Sequence, residues 1–176
     1  MRLALRLHPD SVCAAVAAID VDVTRPDAGS LQLCYIVTGS IDDLRLPGLA
    51  EPERGDALWQ HTCFEAFLAG PAGGYLEFNF SPSTRWAVYR FDSYRSGMRI
   101  AAEIAAPRIA RQMTPDRLAL QATFALPHLQ RDGLRLGLSA VIVELSGSKS
   151  YWALAHGPGQ PDFHHPDCFA CELPPP

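Results

Sequence analysis

Apolar and polar side chains alternate with period two along most of the chain. Residues 2–7 read Arg-Leu-Ala-Leu-Arg-Leu, and residues 31–37 alternate less strictly. Residues 118–124 place Leu118, Leu120, Ala122 and Phe124 on one face, and residues 134–143 continue the same pattern. Successive strand side chains point to opposite faces, so each run predicts a half-buried strand. Turn-forming clusters separate the runs: Pro26-Asp27-Ala28-Gly29, Gly70-Pro71-Ala72-Gly73-Gly74, Ser81-Pro82-Ser83-Thr84, Arg131-Asp132-Gly133 and Gly157-Pro158-Gly159-Gln160-Pro161. Short strands with this punctuation predict an all-β fold, an antiparallel sandwich of roughly ten strands with a jelly-roll-like or immunoglobulin-like arrangement. There is no internal repeat. The polar, acidic segment 47–59 predicts a loop. Segment 101–117 fits either a strand with a turn or a short helix.

Composition narrows the picture. A length of 176 residues suits one domain with one sizeable core. The expectation is a single sandwich over residues 1–173 and a frayed tail at 174–176. Apolar residues at 48% argue against disorder, and 13 Gly with 15 Pro argue against a helical bundle. A net charge of −4 argues against a nucleic-acid partner. Arg6 interrupts the first apolar run, and residues 13–19 are too short to span a bilayer. The expectation is therefore a cytoplasmic protein with no signal peptide and no membrane partner, its oligomeric state open. Five Cys, an odd number, argue against a disulfide framework. Cys13 and Cys34 read as small core residues. Of the 15 basic residues only Lys149 is lysine. It stands just after the longest strand pattern and beside Tyr151 and Trp152, where an ammonium could reach a ligand.

Two blocks carry candidate chemistry. In a strand over residues 62–68, Thr62, Phe64, Ala66 and Leu68 share one face, and Cys63, Glu65 and Phe67 the other. Glu65 is then either an edge-exposed carboxylate or a buried one that needs donors or a ligand. In the second block Leu76, Phe78 and Phe80 face a core, while Tyr75, Glu77, Asn79 and Ser81 form a row of hydrogen-bonding groups. That row is either solvated or part of a binding surface. A hairpin through residues 81–84 predicts Trp86 near it. Indole faces beside carboxylates and amides are what sugar recognition needs, because a pyranose offers an apolar C–H face and hydroxyls that both donate and accept.

The stretch Leu58-Trp59-x5-Glu65-x-Phe67-Leu68 resembles the "LW-x-D-D-x-x-E-x-F" region of DOMON-like domains and family 9 carbohydrate-binding modules. Tyr75-Leu76-Glu77-Phe78-Asn79 resembles the strand that follows it there. Lys149-Ser150-Tyr151-Trp152-Ala153-Leu154 and Pro161-Asp162-Phe163-His164 look most like small bacterial DOMON-like proteins. The resemblance implies a β-sandwich that binds a small polar ligand, a sugar or a cell-wall sugar derivative, without catalysis. It implies that Trp59 and Trp152 stack on the ligand and that Glu65 and Asn79 bond its hydroxyls; Lys149, from its own position in the chain, would donate to a hydroxyl or an anionic group. Glu77, Tyr151 and His164 complete the candidate ligand set. His61 and Thr62 stand where the family often has acidic residues, which bears on specificity and on any calcium site. Other DOMON domains bind haem through Met and His, and Met98 and Met113 are the methionines available for that alternative.

The C-terminal segment gathers His156, Asp162, His164, His165, Asp167, Cys168 and Cys171. Zinc favours such ligands, and a metal-dependent enzyme built on this cluster is a further alternative. The spacing matches no standard zinc module, and adjacent His164 and His165 would point apart in a strand. The competing reading is a Gly/Pro-rich loop whose Phe163 and Phe169 dock on the sandwich. A Cys168–His164 pair has no visible orienting group or oxyanion site, so no arrangement in the sequence demands catalysis.

Overall fold

A computed structural model describes residues 1–27, 29–70, 73–126 and 133–173. The turn positions Ala28, Pro71, Ala72, Arg131 and Asp132 and the expected frayed tail 174–176 lie outside the described residues. The predicted all-β sandwich forms, with twelve strands among the described residues rather than ten. They are β1 (Arg2–Leu7), β2 (Val16–Thr24), β3 (Ser30–Gly39), β4 (Cys63–Ala69), β5 (Tyr75–Phe80), β6 (Trp86–Phe91), β7 (Arg99–Ile100), β8 (Arg108–Thr114), β9 (Arg117–Ala125), β10 (Arg135–Val143), β11 (Lys149–Ala153) and β12 (Cys171–Glu172). Segment 101–117 resolves into the strand-and-turn alternative, with β8 and β9 joined as a hairpin. Segment 47–59 is an extended loop that ends in a 3₁₀ turn at Leu58–Gln60.

The strands run in the order β7-β6-β5-β4-β10-β11-β1-β2-β3-β9-β8, with β12 beside the start of β10. Strand β1 makes two layers from one path. Its residues 2–5 pair with β2, while Arg6 and Leu7 pair with Ala153 and Trp152 of β11. The sheet therefore folds over along β1. The first layer is β2, β3, β9 and β8; the second is β11, β10, β4, β5, β6 and β7.

Between the layers lies the main core. Leu33, Tyr35 and Leu120 from the first layer meet Phe64, Phe78 and Leu138 from the second, all essentially without solvent contact. Phe78 packs against Phe124 with ring centroids 4.3 Å apart. The faces match the alternation: Phe64, Ala66 and Leu68 point into this core, as do Leu76, Phe78 and Phe80.

The departure lies on the other face of the second layer. A half-buried strand has one wet face, yet every residue of β5 is buried, and β4 and β10 are buried except at one end. The loop before β4 and the segment 157–169 lie over this face and form a second apolar cluster with Phe67, Tyr75, Phe91, Phe163 and Phe169. Two expectations fall here. Trp86 pairs with Phe80 and points with it into the main core, where the Arg54 guanidinium caps its ring at 4.7 Å. It is Ala87 and Tyr89 that continue the polar row, because neighbours across a ladder share a face. Cys34 is half-buried rather than in the core, opposite Asp22 and Gln121.

One bond joins the layers directly beneath the second face. The Tyr35 hydroxyl, wholly buried, donates to the Glu65 carbonyl at 2.6 Å. Tyr35→Phe keeps the ring and removes that bond, so stability is expected to fall by about 1 kcal/mol. Urea denaturation of the two proteins measures the difference; an unchanged midpoint would show that the bond contributes nothing.

Candidate functional site

The second layer's outer face is assembled by register. Ser139 on β10, Glu65 on β4, Asn79 on β5 and Ala87 on β6 lie in one cross-strand row. Phe67, Glu77 and Tyr89 form the next row. Tyr151 and Lys149 on β11 pair with Val141 and Val143 on β10. A cleft of about 400 Å³ opens over these rows. Glu65, Glu77, Val141 and Tyr151 form its floor, Lys149 stands exposed at its rim, Trp59 and Gln60 form one wall, Arg95 and Met98 another, and Phe163 and His164 a third.

Its walls are held by polar ties. The 3₁₀ turn that carries Trp59 follows Ala57, which sits in the left-handed region at φ 54°. Trp59 lies edge-on to Tyr89 at 5.7 Å, and the Tyr89 hydroxyl donates to Asp56 Oδ1 at 2.6 Å. That clamp holds the turn against the sheet and leaves the indole 37% exposed. Opposite, Asp162 ties two loops. It accepts from both Arg95 Nη2 at 2.7 Å and the His164 backbone at 3.0 Å, and it also takes the Tyr94 hydroxyl. Gly97 closes the loop that carries Arg95; at φ +69° it passes so close to Asp92 Oδ2 that a side chain would collide with it.

The two floor carboxyls set the electrostatics. Glu65 is only 3% exposed. Ser139 Oγ donates to one of its oxygens at 3.3 Å, and the other has no protein donor among the described residues. Glu77 Oε1 accepts from Asn79 Nδ2 at 2.7 Å. Burial, then the charge of Glu77, push the Glu65 carboxyl well above the ordinary carboxylate range. Burial likewise raises Glu77, against the pull of Asn79 and Arg95.

His164 faces the pair in a defined tautomer. The Arg95 backbone N–H donates to the Tyr75 hydroxyl at 3.2 Å, so that hydroxyl donates onward to His164 Nδ1 at 2.8 Å. The ring proton is then on Nε2, which points at Glu77 Oε2 from 3.7 Å. Burial, then the charge of Arg95, lower the His164 pKa to about 4, so the ring is neutral near pH 7.

Of the residues singled out from the sequence, Trp59, Glu65, Glu77, Lys149, Tyr151 and His164 line this one cleft. Asn79 does not; it is fully buried below and positions Glu77. Trp152 faces the opposite way. It belongs to the main core, its Nε1 donating to Ser150 Oγ at 3.1 Å, and it cannot stack opposite Trp59. Period two accounts for this: Tyr151 and Trp152 are neighbours on one strand, so only one can face the cleft. Phe163 is the aromatic that faces the floor, edge-on to Tyr151 at 6.1 Å. Arg95 and Gln60 went unnoticed, and Met98 was singled out only for the haem alternative, because they sit on loops and a short turn where spacing carries no orientation. Phe163 was legible only as a docking residue.

The C-terminal cluster does not assemble. Among the described residues no three His, Cys, Asp or Glu groups come together as metal ligands. Cys168 is buried with its thiol on the Asp162 carbonyl, and Cys171 lies in β12 beside Met1. Met98 is on the cleft rim, whereas Met113 is exposed on β8 of the first layer.

No protein-family model and no curated protein matches the sequence. Similar solved structures share the fold. A candidate carbohydrate-binding protein from Bacteroides uniformis ATCC 8492 superposes with a TM-score of 0.65 at 13% identity, over 96% of this chain and 83% of that one. A family 9 carbohydrate-binding module from Caldicellulosiruptor kristjanssonii, in complex with cellotriose, has a TM-score of 0.52 at 13% identity, over 90% of this chain and 74% of that one.

The site has an opposed pH signature. Folded Glu65 holds its proton more tightly than the unfolded group at 4.5, so its contribution is full below that value and is lost as pH rises. Folded His164, at about 4 against 6.5, acts the other way: its contribution is present above 6.5 and is lost as pH falls. Glu65→Gln isolates the first effect. Its stability relative to the unmodified protein is expected to rise from about pH 5 to pH 8, measured by urea denaturation at each pH. A difference that does not change with pH would refute the buried-acid assignment.

Proposed function

We propose that the chain is a non-catalytic carbohydrate-binding domain and that the cleft on the second layer is its binding site. The observation that carries this is convergence. Trp59 leaves its indole partly open at the wall, below it lie two carboxyls and a neutral histidine N–H, and the Lys149 ammonium stands at the rim. An indole offers a face to the C–H side of a sugar ring, and the polar groups around it bond hydroxyls. A volume of about 400 Å³ suits a mono- or disaccharide and lies within the usual range for small-ligand sites. The shared fold with a family 9 module that holds cellotriose supports the same reading.

In this reading Trp59 stacks, Phe163 takes the second aromatic position assigned from the sequence to Trp152, and Glu65 and Glu77 accept from hydroxyls. Asn79 holds Glu77 in place. Lys149 is exposed at the rim, without an ion partner among the described residues, and donates to an outer hydroxyl or anionic group. The ligand is a sugar or a cell-wall sugar derivative, and the chain is a cytoplasmic DOMON-like domain. The arrangement needs no covalent step.

Trp59→Ala is expected to abolish binding across a calorimetric panel of mono-, oligo- and muropeptide sugars, with an unchanged far-UV circular dichroism spectrum. If the unmodified protein binds no sugar in that panel, the reading is wrong. Lys149→Arg keeps the charge but replaces a compact donor with a planar fork, and affinity is expected to drop several-fold. Equal affinity would remove Lys149 from the site.

A further inference from the structure

The floor of the cleft holds more acid than hydroxyl recognition requires. Glu65 and Glu77 lie on adjacent strands, burial raises the proton affinity of both, and the charge of Glu77 raises that of Glu65 further, so each is held at a cost that hydroxyl donors relieve only in part. Both also keep an acceptor unused. One Glu65 oxygen has no protein donor among the described residues, and Glu77 Oε2 has only the His164 N–H at 3.7 Å, beyond hydrogen-bond range. Both side chains are more than nine-tenths buried and line the cleft.

The charges that face this pair come from every surrounding element. On β4 and β5 the neighbours are the Cys63 thiol and the Asn79 amide, which donates to Glu77. On β6 the Tyr89 hydroxyl is committed to Asp56, and on β10 there is the Ser139 hydroxyl. The C-terminal segment brings His164, neutral near pH 7, and the β6–β7 loop brings Arg95, already ion-paired with Asp162. On β11 stand Tyr151 and Lys149, the latter exposed at the rim, where water screens it. Among the described residues no unpaired cation therefore shares the buried floor. Around it stand the faces and edges of Trp59, Phe91, Tyr151 and Phe163. Aromatic walls over paired carboxyls form an ammonium-binding environment, since ring faces and carboxylates both attract a cation.

We propose that the cleft selects sugars that carry a protonated amine, with the ammonium seated between Glu65 and Glu77 and the ring laid on Trp59. This inference rests on the sugar reading above. The amine's charge favours the ionised form of both carboxyls, so any proton the pair holds leaves to solvent on binding, and the ligand's covalent structure is unchanged.

Calorimetry with glucosamine, N-acetylglucosamine and glucose at pH 7, in two buffers of different ionisation enthalpy, tests it. Glucosamine is expected to bind about tenfold or more tightly than the other two, and the difference between the two buffers reads any proton released. N-acetylglucosamine keeps the 2-substituent without the charge and should resemble glucose. In Glu65→Gln and Glu77→Gln, each checked for folding by thermal melting, the glucosamine preference should approach one. If neutral sugars bind as tightly as glucosamine, the ammonium seat is overturned while sugar binding stands. A preference that survives both substitutions also overturns the seat. If none of the three binds, both readings fail together.

Discussion

Burial of both faces of β4, β5 and β10 is the constraint from which the rest of this molecule follows. One face meets the first layer through Phe64, Phe78 and Leu138 in an ordinary sandwich core. The other carries Glu65, Glu77, Asn79 and Ser139, and it too is almost closed to water. A polar face without solvent must find its partners internally or reserve them for something that binds. Asn79 and Ser139 provide part of that satisfaction. The remaining acceptors open into the cleft, where the proposed ligand would meet them.

The cover over that face is held by ties rather than by strands. Asp162 joins Arg95, Tyr94 and the His164 backbone, and the Tyr75 hydroxyl connects the Arg95 backbone to the His164 ring. The Asp56–Tyr89 bond holds the Trp59 turn on the opposite side. Three loops far apart in sequence are thus tied to one sheet face. The same ties that order the loops set the protonation of the site: Tyr75 selects the His164 tautomer, and Arg95 helps to keep that ring neutral. Structure and electrostatics are coupled here because the donors that shape the walls are also the charges nearest the carboxyls.

Stability and the proposed binding role pull against each other at Glu65. An apolar residue there would remove the cost of a buried carboxyl. The Tyr35 hydroxyl anchors the Glu65 backbone from the core side, so the strand is held in place independently of what its side chain does. A carboxyl on a rigid strand, fastened from below, is a preorganised acceptor, and little conformational freedom remains to be lost when a ligand arrives.

Period-two patterning by itself determined β1, β3, β4, β5, β9 and β10 and which of their residues share a face, but not β2, β7 or β12. It set Glu65 with Cys63 and Phe67, Glu77 with Asn79, and Phe78 with Phe80, because alternation is local backbone geometry. Applied throughout, it also separates Tyr151 from Trp152, and Ala87 from Trp86. A resemblance that places both aromatics of an adjacent pair in one site overrides that geometry, and Trp152 is in the core accordingly. What only the tertiary structure decided is that the polar face is covered and by what. Alternation gives a face but not its surroundings; a solvated row and a roofed one have the same pattern. Phe163, Arg95 and Met98 reach the cleft from irregular loops whose course depends on Asp162, Tyr75 and the sheet beneath them. Those are long-range contacts, and no local spacing encodes them.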